Sequence, residues 1–71
     1  MQGEGLHMLV ANTVREACIR AALDGYQQAS ISGLCHEGAF EVAVDAIRML
    51  DVAAVVQPVV APATPPAPAA D

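Results

Sequence analysis

Residues 32–50, SGLCHEGAFEVAVDAIRML, constrain this chain more than any other stretch. Wound at about 100° per residue, Cys35, Ala39, Val42, Ala43, Ala46, Ile47, Met49 and Leu50 gather on one side. Glu37, Glu41, Asp45 and Arg48 occupy the opposite side, and Phe40 lies on the flank beside Val44 and Ile47. It is the cleanest amphipathic pattern in the sequence, and it predicts one helix over about residues 33–51. Ser32 is the expected N-cap, its hydroxyl accepting from the amide of Cys35. Glu37 then sits near the positive end of the helix dipole, where a carboxylate is favoured.

The residues before it suit a partner helix over about residues 6–29. Val10, Val14, Ala17, Cys18, Ala21, Ala22 and Gly25 share one side. Asn12, Thr13, Glu16, Arg20, Asp24 and Gln27 fall on the other, with Glu16 and Arg20 spaced for an i, i+4 pair. Residues 1–5 hold two glycines and no periodicity, and are expected to be flexible. Two serines and a glycine around Ile31 mark a turn at residues 30–33, with the Ile31 side chain folding back over the end of the first helix. So short a connection predicts an antiparallel helical hairpin over residues 6–51. A turn centred near Ile31 would set Gly25 opposite Gly38 and Ala21 opposite Val42.

From Val52 the composition shifts to alanine, valine and proline, with Pro58, Pro62, Pro65, Pro66 and Pro68 close together. Proline lacks the amide donor a helix needs, so residues 52–71 are expected to form a disordered or polyproline-like tail. The fold class predicted is therefore all-α: a hairpin followed by a Pro/Ala-rich tail.

Such a hairpin is short of large apolar side chains. The chain has one Phe, one Tyr and no Trp, and much of its 55% hydrophobic content is alanine and valine. Two helices meeting through alanine, valine and glycine bury little area, while Ile19, Leu23, Tyr26, Phe40, Ile47 and Leu50 would face outward on the flanks. Dimerisation into a four-helix bundle, or docking on a larger protein, is the physical remedy. The expected interface comprises Val10, Val14, Cys18, Ala21, Phe40, Val42, Ala46, Ile47, Met49 and Leu50. The function expected is that of a small accessory or adaptor protein acting by association, not an enzyme.

Charge narrows the partners. A net charge of -5 with three basic residues leaves no positive footprint for nucleic acid, nor for an anionic membrane surface. No apolar run approaches a membrane span, and no basic, apolar leader opens the sequence, so a cytoplasmic protein with reduced thiols is expected.

The alternative function is a thiol-dependent redox or metal-binding module. Cys35 belongs to the first turn of the second helix, where the dipole favours a thiolate, with His36 and Glu37 beside it. Cys18 and Cys35 are offset by roughly 12 Å along the helix axes, too far for an internal disulfide. Adjacent residues on a helix diverge, so Cys35 and His36 cannot chelate as an i, i+4 pair would, and no CxxC or HExxH spacing occurs. No metal site, cofactor or catalytic residue is expected.

Residues 15–50 resemble a group of short uncharacterised bacterial helical proteins. The likeness is carried by an alanine-rich first helix, Tyr26, the ISGLCHEG turn at residues 31–38, Phe40, and the closing AIR-x-LD at residues 46–51. It covers about half the chain, implies a helical fold, and brings no assigned catalytic residues.

Overall fold

A computed structural model describes residues 2–60, with side chains from residue 5 onward. The described chain is all-helical: α1 is Gln2–Ile31, α2 is His36–Arg48 and α3 is Val52–Val60. No strand occurs among the described residues. Both α2 and α3 pack against α1. Residues 2–5 of the expected flexible start continue α1, and residue 1 lies outside the described residues. Extending an existing helix costs far less than nucleating one.

The first helix ends two residues later than its pattern suggested, and the reason is local. Gly33 takes a left-handed φ of 97°, a conformation that L side chains rarely adopt. That single rotation lets the Gly33 amide donate to the Ser30 carbonyl and the Leu34 amide to the Ala29 carbonyl, both at 3.0 Å. The two bonds form a Schellman closure, which satisfies carbonyls at the helix end that would otherwise lack partners. Ile31 does not fold back over the end; it is 81% exposed.

Ser32 is therefore not the cap of α2. Its amide still donates to the Gln28 carbonyl at 3.0 Å, so it belongs to the first helix's exit. The N-cap of α2 is Cys35, extended at φ -73° and ψ 173°, with no side-chain capping bond. The first α-type bond runs from the Ala39 amide to the Cys35 carbonyl, at 2.8 Å. Helix α2 closes at Met49 rather than residue 51, where the Met49 amide donates to the Asp45 carbonyl at 2.9 Å and the Leu50 amide to the Ile47 carbonyl at 3.1 Å.

Moving the turn moves the register. Gly25 does not face Gly38. A methyl group on Gly25 would lie 3.2 Å from the Ala46 Cβ, 3.3 Å from the Val42 carbonyl oxygen and 3.4 Å from the Ala43 Cα. The connection is centred near Gly33 and Leu34 instead of Ile31, which carries Gly25 at least a turn further along α2. At Gly38 the nearest atoms to an added methyl all belong to the Leu34 side chain, at 3.3–3.5 Å. Gly25 is thus the residue that allows the two backbones to approach.

The third helix corrects the expected tail over residues 52–60. Asp51 caps it: its Oδ1 accepts from the Ala54 amide at 3.1 Å, and its carbonyl accepts from the Val55 amide at 3.1 Å. Val55, Val56 and Val59 are half-buried at helical spacing. Pro58 falls in the second half of α3, where it removes one amide donor but leaves the capped first turn intact. Capping and burial together outweigh that loss. The remainder of the expected tail, residues 61–71, lies outside the described residues.

The core is correspondingly thin. Ala29, Ala39 and Ala43 are its buried residues among those described, and no large side chain is fully buried. The molecule measures 14 Å in its narrowest direction, so every residue lies close to a surface. The α1–α2 pair is a single layer with two broad surfaces and no interior beyond its seam, and α3 packs against α1 alone.

Candidate functional site

On each of the two main helices, a second row of apolar residues runs beside the one that faces the seam. In α1 it is Ile19, Leu23 and Tyr26, spaced i, i+4, i+7. In α2 it is Phe40, Val44 and Ile47, spaced the same way, with His36 one turn earlier. The Tyr26 hydroxyl lies 2.7 Å from Nδ1 of His36, an exposed hydrogen bond joining the two rows. That bond places both rows on one broad surface of the layer. Their large side chains are left open: Ile19 is 47% exposed, Leu23 58%, Phe40 64% and Ile47 39%, while Tyr26 and Val44 are half-buried.

The opposite surface differs in chemistry. Thr13, Glu16, Arg20 and Asp24 stand above Ala17, Ala21, Leu50 and Val55 around an open groove of about 450 Å³. Charged groups occupy its rim, so the small apolar floor is not a large exposed patch. Within α2, Arg48 bonds Asp45 at 2.9 Å, with side chains 70% and 59% exposed. An ion pair that open is worth at most about 1 kcal/mol and leaves Arg48 free to find another acid.

The expected interface residues separate into two groups. Val10, Val14, Cys18, Ala21, Val42, Ala46 and Leu50 are half-buried within the chain itself. Phe40, Ile47 and Met49 remain exposed. The rest of the open surface comes from Ile19, Leu23, Tyr26 and Val44, which the wheel had put on the flanks. Met49, 81% exposed, sits at the end of α2 and belongs to neither row.

The thiols are placed apart. Cys18 is half-buried on α1 and Cys35 is exposed at the start of α2, and both are free. Cys35 belongs to the turn rather than to the helix's first turn. His36, its neighbour, directs Nδ1 to the Tyr26 hydroxyl and has only Nε2 left for another partner. Among the described residues, no three His, Cys, Asp or Glu side chains gather as a metal would require. The Tyr26–His36 bond had no sequence signal, because ten residues across a turn of unknown geometry make no periodic pattern.

No family model, characterised protein or solved structure matches the chain. No helix among the described residues is long and apolar enough to cross a membrane.

Proposed function

We propose that this chain is a small accessory or adaptor protein: a helical hairpin that works by association, with itself or with a larger protein, and not by catalysis. One observation carries the reading. The buried side chains are alanines, whereas Ile19, Leu23, Phe40 and Ile47 stand in the open on one surface. A contiguous apolar surface that its own chain leaves uncovered is the usual mark of an interaction site. Covering it with two further helices makes a four-helix bundle, the arrangement in which a one-layer pair acquires an interior.

The polar features support binding over chemistry. His36 is held by Tyr26 at the edge of the surface, and the acids Glu37 and Glu41 flank Phe40. Such a rim, polar around an apolar centre, excludes wrong partners and sets orientation. The test is photo-crosslinking in the native host, with a photoreactive residue in place of Glu41, beside the apolar row. A covalent adduct of protein size is expected, and it contains either a second copy or another polypeptide. Recovery of the uncrosslinked chain alone would refute the proposal.

A further inference from the structure

We infer that the occupant of this apolar surface is a second copy of the chain, its α2 lying antiparallel to the first across a two-fold axis. The inference rests on the association reading and names the partner. It is argued from the order of residues along the open side of α2: Glu37, Phe40, Glu41, Val44, Ile47, Arg48. An acid stands at one end and the helix's one cation at the other. Glu37 and Arg48 are eleven positions apart, about three turns or 16 Å, so they share a side of the helix.

A two-fold axis perpendicular to the helix reverses one copy against the other, so each residue meets the one equally far from the point where the axis passes. With the axis passing beside Val42 and Ala43, Glu37 stands opposite the partner's Arg48, and Arg48 opposite the partner's Glu37. The Phe40–Val44 pair centres on Val42, half a residue or about 0.8 Å from that point, so Phe40 packs beside the partner's Val44 and Val44 beside the partner's Phe40. One axis close to Val42 and Ala43 thus serves both the charged pair and the apolar pair. A parallel arrangement would instead stack Glu37 and Glu41 on their own equivalents in a chain already carrying -5. The Asp45–Arg48 bond is no obstacle, being exposed and open to a second acid.

The area is of the right order. At roughly 200 Å² for a large side chain, the exposed fractions of Ile19, Leu23, Phe40 and Ile47 amount to about 400 Å². A stable interface takes about 800 Å² from each partner, and Tyr26, Val44 and Ala22 beside those rows, with the stems of Glu37, Glu41 and Arg48 at the rim, supply further apolar area.

Light scattering on the full chain after size exclusion, from micromolar to millimolar concentration, reads the outcome. The native sequence is expected to run as a dimer. Phe40→Asp is expected to run as a monomer, and Phe40→Ala as a weakened dimer. Phe40 is open to solvent in the single chain, so both keep the native helical circular dichroism. Glu37→Arg and Arg48→Glu are each expected to weaken the dimer about tenfold, and the double exchange to restore it, because it rebuilds both pairs with the charges reversed. A chain that stays monomeric at millimolar concentration overturns the inference. So does a dimer indifferent to Phe40→Asp, or a double exchange no better than its singles. A monomer that still crosslinks to another protein through position 41 overturns the second copy alone and leaves association standing; a monomer that crosslinks to nothing overturns both.

Discussion

The close approach at Gly25 makes a prediction with a definite sign. Gly25→Ala gains about 1 kcal/mol of helix propensity, as any interior glycine replacement does. Against that stands crowding. The new methyl would meet the Ala46 Cβ at 3.2 Å, the Val42 carbonyl oxygen at 3.3 Å and the Ala43 Cα at 3.4 Å. Two of the three are backbone atoms, so no side chain can swing aside, and α2 must move away as a body. Ordinary carbon contacts lie at about 3.5–4.0 Å, and overpacking of this kind costs about 1–3 kcal/mol. Taking the middle of that range leaves a net loss of about 1 kcal/mol, which lowers Tm by about 4–8 °C in a domain this small.

Gly38→Ala supplies the contrast, because it makes the same chemical change in the other helix. There the methyl meets only the Leu34 side chain among its nearest atoms, at 3.3–3.5 Å, and Leu34 is exposed enough to shift. Propensity then prevails, and stability rises by about 0.5 kcal/mol or slightly more. Thermal and urea unfolding followed by far-ultraviolet circular dichroism measures both variants at one protein concentration, so that any self-association is held constant. A Gly25→Ala chain melting at or above the native temperature would refute the packing argument, and with it the register of α2 on α1.

Three further outcomes follow from individual residues. Gly33→Ala forces an L side chain into a left-handed φ of 97° and should cost about 1–2 kcal/mol, seen as a lower urea midpoint, with Gly33→Asn less damaging. Asp51→Ala removes the bond to the Ala54 amide and should destabilise α3 by about 0.5–2 kcal/mol. Hydrogen exchange should then quicken at residues 54–57 while residues 17–29 of α1 keep most of their protection. Tyr26→Phe deletes the hydroxyl that reaches His36 and should cost about 0.5–1.5 kcal/mol. It should also change the His36 ring-nitrogen chemical shifts, which an unpaired Tyr26 hydroxyl would leave unmoved.

Much of this fold is written locally. The 3.6-residue recurrence of Val10, Val14, Ala17, Cys18, Ala21 and Ala22 announces a helix with one sheltered side, and each of these residues is half-buried. The same is true of Val42, Ala46 and Leu50 in the following stretch. That Ile19, Leu23 and Phe40 would be left outside was also legible, because they lie beyond the apolar stripes, whereas Cys35, Ile47 and Met49 belong to the stripe of the second helix and are nevertheless exposed. Asp51 ahead of an apolar run was a readable start signal for α3. The run of prolines after it masked that signal, although Pro58 alone falls within the described helix.

What the sequence determined by itself is the helical class and most of the division of each helix into sheltered and open sides, since both depend on neighbours within two turns. The tertiary structure decided the rest: that Cys35 rather than Ser32 begins α2, that Gly25 meets Ala46, and that Tyr26 reaches His36 to set two apolar rows on one surface. All three follow from the left-handed rotation at Gly33. One backbone angle in a turn swings every later residue by many ångströms, and no periodicity within either helix records it.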